Sequence, residues 1–440
     1  MLSQFPRVSC DSLVALAPRT RGGRAIFAKN SDRPAGECQP LTRVAAADHP
    51  RGRPLRCQYV EVEQVDHTYA LVGARPAWLW GLEHGLNENG VAIGNHTIFT
   101  RDAVADVGLL GMDLVRLGLE RGGSASEAIE VLIELIERYG QGGSGYSDTT
   151  WPYHNSFLVA DSNEAFVLEA SASHWALKRV DGAASASNQT TIGTDWERLC
   201  HDTIEHAIAR DWWPEPTGVR FDFAAAYRST ETAPPVISSG RYATTCRALS
   251  AGALDLRGVM RVMRDHYDGG DVYRPGAMPD DERFFSVCMH ADPVGTTTAS
   301  MVVELAPVPA GQRRADAAAP LIYWAALTNP CVAPYLPLFV EAELPAELAC
   351  GGADADGGGA WWRFKALLTE VEKDFTRRGP YVRAFWRDFE EPLLEETVRF
   401  VASMPAGADA RRGVEGEFVA SVWERASTAL DKVTAEVAAL

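Results

Sequence analysis

The sequence predicts an α+β protein, and three observations support this fold class. Of the 440 residues, 46% are hydrophobic and 23% are charged, which is the composition of a globular chain. Some segments alternate apolar and polar residues with period two, whereas others keep helical spacing. These segments come in blocks, in the order strands, helices, strands, helices, strands, which favours α+β over a strictly alternating parallel sheet.

Two short apolar stretches near the N-terminus predict a β-hairpin. They span residues 13–17 and 25–28, and a turn at residues 18–23 separates them. Cys10 stands just before the first stretch, and Lys29-Asn30-Ser31-Asp32-Arg33-Pro34 follows the second. Pairing of the two strands brings the cysteine close to this charged cluster.

Further strands and two helices are predicted before residue 140. The strands are 59–65, 69–74 and 91–93, and the Asn- and Gly-rich stretch 85–90 predicts a tight turn. A helix is predicted over 109–120. A second helix begins at Ser124, because Glu127 three residues later gives the capping-box spacing.

The rest of the chain predicts a second set of strands and a helical C-terminus. Strands are predicted at 157–160, 165–170, 174–180, 286–290, 298–304 and 321–327, and helices at 196–212, 258–267, 361–376, 381–404 and 415–440. A stretch rich in Gly, Ala and Asp at 349–360 predicts a linker. The main domain is therefore expected at 10–348, with a helical extension at 361–440.

Composition argues against several classes of partner. The net charge of −17 disfavours nucleic-acid binding, because an acidic surface repels phosphates. No apolar run reaches the roughly 18 residues of a membrane span. The N-terminus lacks a signal-peptide pattern, so a cytoplasmic location is expected. The oligomeric state stays open, a homo-oligomer included.

Cysteines and histidines give no metal motif in the sequence. The eight cysteines form no C-x-x-C pair, and most, Cys246 and Cys288 among them, are expected to be buried neutral thiols. The ten histidines contain no H-E-x-x-H. His201 and His206 are five residues apart on a predicted helix. Their side chains therefore do not share one face of that helix, as two ligands of one metal ion would. No metal and no cofactor is expected.

Cys10 is the candidate nucleophile. A thiolate that attacks an amide needs a base for its proton, an oxyanion donor and an acid for the leaving amine. A free α-amine has an ordinary pKa of about 7.7–8.0 and can be the base, provided that the cysteine becomes N-terminal. Residues 1–9 are therefore expected to be removed by autoprocessing at the Ser9–Cys10 bond. The alternative for residues 29–33 is an ordinary solvated turn.

The chain resembles the secernins and their bacterial dipeptidase relatives, which are N-terminal-nucleophile hydrolases. It is more distantly similar to choloylglycine hydrolase and penicillin V acylase. The resemblance covers roughly residues 10–339, and its strength comes from the order and spacing of motifs that are weak alone. The motifs are Cys10-Asp11-Ser12, Phe27-Ala28-Lys29-Asn30-Ser31-Asp32-Arg33-Pro34, Asn87-Glu88-Asn89-Gly90-Val91-Ala92-Ile93-Gly94-Asn95, Ala186-Ser187-Asn188-Gln189-Thr190-Thr191-Ile192, Thr194-Asp195-Trp196, Ser286-Val287-Cys288-Met289-His290 and Thr298-Ala299-Ser300-Met301-Val302.

The resemblance implies a four-layer αββα fold and a role for each matched residue. Cys10 is the nucleophile, and Asp32 binds its freed amine. Lys29 stands where choloylglycine hydrolases have an arginine, and it keeps the charge but lacks the planar fork. Asn188 is implied as an oxyanion donor, with a backbone N–H near Asn95 to Thr97 as the second donor. Arg247 matches the distal arginine of the site.

Two of these residues also have ordinary structural interpretations. Asn188 could cap a helix or a turn, and Arg247 could lie on the surface or at the start of a helix.

The activity implied is hydrolysis of a small amide, most simply a dipeptide or an N-acyl amino acid. Two alternatives stay open. An acyltransferase of the same fold would pass the thioester to an amine instead of water. A non-enzymatic regulatory protein would keep the fold without the reaction.

Overall fold

The computed structural model describes residues 9–50, 52–147, 151–214, 218–231, 235–267, 285–292, 294–307, 320–355, 358–405 and 407–440. The strands are β1 (Ser9–Ala15), β2 (Ala25–Arg33), β3 (Leu41–Val44), β4 (Ala47–Asp48), β5 (Pro54–Arg56), β6 (Glu61–Glu63), β7 (His67–Thr68), β8 (Leu71–Ala74), β9 (His84–Asn87), β10 (Ala92–Ile98), β11 (His154–Ala160), β12 (Ala165–Ser171), β13 (His174–Arg179), β14 (Ala183–Ala186), β15 (Arg198–Leu199), β16 (His290–Ala291), β17 (Gly295–Leu305), β18 (Ile322–Leu327) and β19 (Leu336–Phe339).

The α-helices cover both halves of the chain and dominate its C-terminal part. They are α1 (Gly111–Arg121), α2 (Ala125–Tyr139), α3 (Thr203–Ala209), α4 (Phe223–Tyr227), α5 (Ser239–Ser250), α6 (Leu256–Met263), α7 (Ala346–Ala349), α8 (Ala360–Glu372), α9 (Phe375–Ala402) and α10 (Ala408–Ala439). None of the described helices combines the length and the apolar composition needed to cross a membrane.

Two antiparallel sheets form the centre of the fold. One has the strand order β14-β1-β2-β17-β18-β19, with β16 beside β17, and the other has the order β15-β13-β12-β11-β10-β9-β8-β3. The sheets face each other, since β1 contacts β10 and β11. Helices α5 and α6 cover the outside of the first sheet, while α1 and α2 cover the outside of the second. This is the predicted αββα sandwich.

The apolar side chains explain why these layers form. Helix α2 turns Ile129, Leu132, Ile133 and Ile136 towards the second sheet, where they share a core with strand residues such as Phe157. The sheets themselves enclose a second core, because their central strands are buried on both faces.

The predicted cap of α2 is present in a modified form. The side chain of Ser124 accepts a hydrogen bond from the backbone N–H of Glu127 at 3.2 Å, as a capping box requires. The carboxylate of Glu127 accepts from the N–H of Gly123 at 2.9 Å, one residue before the cap. The sequence therefore located this helix start correctly.

Some predicted elements differ from the structure, and one helix has no counterpart in the prediction. The turn predicted at 85–90 begins late, because residues 85–87 belong to β9. The helix predicted over 196–212 is wrong in its first half, which forms β15 against β13, and only α3 is helical. Within the strand predicted at 286–290, only His290 lies in a ladder. Helix α5 was not predicted, because its small polar residues give no apolar period.

The predicted C-terminal helices form and pack on the main domain. Helices α8 and α10 contact β18 and β19, respectively. Trp361 at the start of α8 is buried, and its indole N–H donates to the carbonyl of Thr298 in β17 at 2.8 Å. The extension therefore shares the hydrophobic core of the first sheet.

Candidate active site

The hairpin of β1 and β2 places Cys10 between the two sheets. Cys10 lies opposite Ser31 in the ladder. Because side chains alternate along a strand, Cys10 and Lys29 share the face towards the second sheet. Asp11 and Asp32 share the opposite face, towards helices α5 and α6. This register agrees with the prediction that the hairpin brings Cys10 near Lys29 and Asp32.

The environment of Cys10 keeps its thiol protonated. Burial raises the pKa of this thiol to about 12; the charge of Lys29 acts in the opposite direction. The carboxylates of Glu83 and Asp32 raise this pKa further, while the backbone N–H of Asp32 lowers it. The thiol therefore needs a base near it before it can act as a nucleophile.

Asn188 holds the backbone nitrogen of Cys10. The N–H of Cys10 donates to Asn188 Oδ1 at 2.8 Å, and Asn188 Nδ2 donates to the carbonyl of Thr97 at 3.0 Å. The amide of Asn188 thus links the first sheet to the second. Its oxygen, not its nitrogen, faces the atom that becomes the α-amine if Ser9 is removed.

Arg241 is a site residue that the sequence analysis missed. It lies fully buried on α5, where its guanidinium donates to Asn188 Oδ1 at 2.8 Å and to the carbonyl of Cys10 at 3.3 Å. It also forms an ion pair with Asp11 and lies 3.8 Å from Asp32. One cation therefore contacts both the candidate nucleophile Cys10 and the two buried carboxylates beside it.

Arg247, the arginine predicted for this role, does not reach the site. It is exposed on the same helix, six residues after Arg241. At 3.6 residues per turn, six residues rotate a side chain by about 240°, which puts Arg247 on the outer face. Recognition of α5 would have corrected the choice, since Arg241 shares the buried face with Thr244, Thr245 and Leu249.

Asp32 lies at the proposed cleavage point. It is opposite Ser9 in the ladder, and its Oδ1 accepts a hydrogen bond from Thr297 Oγ1 at 2.6 Å. Burial raises the pKa of this carboxyl to about 7; Arg241 lowers it and Asp11 raises it. An amine released at Cys10 would place a positive partner next to this carboxylate.

Lys29 belongs to a buried network of four charges on the thiol side. Its Nζ donates to the carbonyl of Glu83 at 2.7 Å and lies 3.2 Å from Glu83 Oε2. Arg33 Nη1 contacts the other oxygen of Glu83 at 3.4 Å, and Arg33 Nε pairs with Glu37 at 2.5 Å. The charges of the two cations and the two anions cancel. No sequence motif marked Glu83 or Glu37 as part of the site.

A glycine makes room for Lys29. A Cβ on Gly94 would come within 2.6 Å of Lys29 Cδ and 3.3 Å of Ser12 Oγ. The lysine stem can cross β10 only because this position has no side chain. The Gly94-Asn95 step of the sequence motif is therefore explained by close packing between the sheets.

The stretch from Asn95 to Thr97, where the second oxyanion donor is predicted, lies on β10. The N–H of Asn95 faces the carbonyl of Glu83 at 3.5 Å, and Thr97 presents its carbonyl to Asn188. The side chain of Asn95 lies 3.3 Å from Lys29 Nζ. With its amide turned over, its nitrogen donates to the carbonyl of Glu83 at 3.0 Å.

A narrow cleft opens beside Asn188. Its wall includes Phe99, Gln189, Arg228 and Ser238. Ser238 donates to Gln189 Oε1 at 3.0 Å, and Arg228 donates to Thr190, so both polar walls are held in place. Among the described residues, the groups of side chains that could bind a metal do not include Cys10.

Part of this sequence is similar to a known family of peptidases. The particular match is to the model of peptidase family C69, over residues 57–252, and it confirms the family resemblance that the motifs predicted. The matched range contains Asn188 and Arg241, and it begins after the hairpin that carries Cys10.

Solved structures of three amide hydrolases are also similar to this chain. A variant of the conjugated bile acid hydrolase from Clostridium perfringens is 12% identical, with a TM-score of 0.38, covering 72% of this chain and 89% of that one. Penicillin V acylase from Agrobacterium tumefaciens is 14% identical, with a TM-score of 0.39 and coverages of 75% and 86%. The Caenorhabditis elegans ortholog of N-acylethanolamine-hydrolyzing acid amidase is 12% identical, with a TM-score of 0.31 and coverages of 68% and 94%. TM-scores this low add nothing to the case for a particular activity.

Proposed function

We propose that this protein is an N-terminal-nucleophile cysteine hydrolase that cleaves a small amide, a dipeptide or an N-acyl amino acid. The observation that carries the proposal is the hydrogen bond from the Cys10 nitrogen to Asn188 Oδ1, with Asp32 on the neighbouring strand. These two acceptors suit a free amine better than a peptide N–H, which can donate only one hydrogen bond.

Removal of residues 1–9 would create the base. The released α-amine of Cys10 has an ordinary pKa of about 7.7–8.0, so a large fraction is neutral near pH 8. Asn188 Oδ1 and the Asp32 carboxylate would accept its hydrogens and orient its lone pair. Arg241 fixes both acceptors, because it contacts Asn188 and lies 3.8 Å from Asp32.

The reaction proceeds through a thioester. The amine takes the thiol proton, and the thiolate of Cys10 adds to the carbonyl carbon of the substrate. The ammonium then protonates the leaving nitrogen, the carbon–nitrogen bond breaks, and the acyl group stays on the sulfur. A water molecule, deprotonated by the same amine, adds to the thioester, and the carboxylic acid leaves as the thiol re-forms.

Two groups are candidates for the oxyanion. The side-chain amide of Asn95 lies beside Lys29, whose charge acts on the thiol. Asn188 Nδ2 is engaged with the carbonyl of Thr97, so it can serve only by exchanging that partner for the oxyanion. The amide nitrogen of Asn95 is engaged as well, with Asn155 Oδ1 at 3.2 Å, or with the carbonyl of Glu83 when the amide is turned over. Either side chain would therefore have to exchange a partner before it could bind the oxyanion.

The test combines intact mass with activity. The purified wild-type chain is expected to begin at Cys10, and Cys10→Ala to keep its first nine residues. Wild type should hydrolyse members of a panel of dipeptides and N-acyl amino acids. Cys10→Ala should lose at least about 10³-fold in kcat/KM. Cys350→Ala, which removes an exposed thiol, is the matched control.

Three outcomes would overturn the proposal. The α-amine is not the base if the full-length chain is fully active while Met1 is still present. The nucleophile is wrong if Cys10→Ala hydrolyses the panel like wild type. The third outcome is acyl transfer. If the reaction with added amines gives a new amide in place of the free acid, the thioester passes its acyl group to an amine and the protein is an acyltransferase.

A further inference from the structure

Four side chains from three separate segments converge at the outer end of the first sheet. His266 follows α6, Cys288 and His290 precede β17, and Cys331 follows β18. One ligand atom from each lies within 4.8 Å of every other. The side chain of His290 is only 2% exposed, and the other three residues are buried. The Cys-x-His pair belongs to a sequence motif that the proposed reaction does not use.

The distances suit a tetrahedral ion. His290 Nε2 lies 3.2 Å from Cys331 Sγ and 3.8 Å from Cys288 Sγ. With zinc–sulfur bonds of about 2.3 Å and zinc–nitrogen bonds of about 2.0–2.1 Å, a tetrahedron has nitrogen–sulfur edges of about 3.6 Å. The two observed separations bracket this value, so His290 and the two sulfurs need only small movements to bind an ion.

The neighbours orient one histidine as a ligand. His290 Nδ1 lies 3.1 Å from Glu372 Oε1, which leaves Nε2 directed at the two sulfurs. Metal-binding histidines commonly donate their other ring N–H to a carboxylate in this way. Arg383 lies against Nδ1 of His266. A guanidinium can only donate hydrogen bonds, so this contact has to shift if His266 is to keep its proton on Nδ1 and bind the ion through Nε2.

We propose that His266, Cys288, His290 and Cys331 bind one zinc ion as a structural site. Two thiolates and two imidazoles form a closed set of four ligands, which is typical of structural rather than catalytic zinc. Thiolate ligands favour zinc over the hard cations magnesium and calcium. The two thiolate charges neutralise those of the ion. Cys331 also lines a surface cleft with Arg264 and Arg383.

The proposed zinc site lies next to the residues that hold the carboxylate of Asp32 in place. The N–H of Met289, between Cys288 and His290, donates to Thr297 Oγ1 at 2.9 Å, and Thr297 donates to Asp32 at 2.6 Å. Glu372 ends α8, so the same ion would also hold the C-terminal extension to the sheet. Zinc would therefore stabilise the fold and fix the carboxylate of Asp32.

The experiment measures zinc in the full chain, purified without a histidine tag. About one zinc per chain is expected by elemental mass spectrometry, falling below about 0.2 in Cys331→Ser and in His290→Gln. Cys246→Ser, outside the cluster, should keep its zinc. A metal chelator should lower the Tm of wild type. It should leave the Tm of Cys331→Ser unchanged.

Cobalt substitution keeps the test decisive if the variants fail to fold. Wild type refolded with Co²⁺ should show the absorption of a tetrahedral site with thiolate ligands. A zinc content below about 0.1 per chain after growth with added zinc, together with no such spectrum, would overturn the proposal. A Cys288–Cys331 disulfide found by peptide mapping would overturn it as well. Each result is independent of whether the protein hydrolyses amides.

Discussion

The arginine beside Cys10 illustrates how one buried charge supports several functional groups. Arg241 contacts Asn188 and the carbonyl of Cys10, and it pairs with Asp11. Removing it would leave two buried carboxylates without their main cation. The cost of breaking such a buried pair is about 3–5 kcal/mol, which is large beside the stability of a domain.

Arg241→Ala is expected to lower the free energy of unfolding by about 3–5 kcal/mol and to reduce kcat/KM at least 100-fold, since Asn188 and Asp32 lose their common support. Urea denaturation and amide hydrolysis measure the two effects. Arg247→Ala, on the exposed face of the same helix, should change stability by less than about 0.5 kcal/mol and leave activity unchanged. Equal effects of both variants would contradict the assignment of Arg241.

Lys29→Met should make the thiol of Cys10 less acidic. The charge of Lys29 opposes the effect of burial on the pKa of this thiol, so its loss raises that pKa. Alkylation of Cys10 near pH 8 should slow about tenfold if the pKa rises by about one unit. The exposed thiol of Cys350 gives an internal reference in the same sample. Lys29→Arg should behave more like wild type, and an unchanged rate in Lys29→Met would argue against this role.

Whole elements decide how these side chains meet. The hairpin of β1 and β2 is local in sequence, so its register follows from two apolar stretches and a turn. Helix α5 instead packs its buried face on β14 and on β1, and β1 lies more than 200 residues away along the chain. This explains why Lys29 and Asp32 could be placed from the sequence, whereas Arg241 could not.

Helix α10 carries a carboxyl whose ionisation opposes folding. Burial raises the pKa of Glu415 to about 7, and repulsion by Glu341 adds to the effect. Because this pKa is higher in the folded than in the unfolded chain, its stabilising contribution is complete below about pH 4.5 and is lost as the pH rises through about 7.

Glu415→Gln should remove this pH dependence. Relative to wild type, the variant is expected to gain up to about 3 kcal/mol of stability between pH 4.5 and 8, since a shift of one pKa unit corresponds to about 1.4 kcal/mol. Urea denaturation across this range measures the difference. Glu424→Gln, exposed on the same helix, is the control. A difference that stays constant with pH would contradict the expectation.

Across the whole molecule, the C-terminal helices complete the core of the first sheet. Trp361 is among the largest fully buried side chains, and it donates to Thr298 at the strand that supports Asp32. Trp361→Ala is expected to cost about 3–5 kcal/mol, because it leaves a cavity in the core. Val398→Ala, on the exposed side of α9, should cost little. If both variants changed the Tm by the same amount, the extension would not stabilise the core.

The amino-acid sequence by itself determined those structural features that depend on residues close together along the chain. The hairpin with Cys10, the start of α2 at Ser124 and the three C-terminal helices follow from apolar periodicity and capping over short spans. Only the tertiary structure decided which distant side chains meet. Arg241 meets Cys10 across 231 positions, and Glu83 meets Lys29 across 54. The cluster of two cysteines and two histidines that includes Cys331 draws its members from three separate segments. Such contacts depend on how sheets and helices pack, because local spacing carries no information about the partner that an element finds in the folded chain.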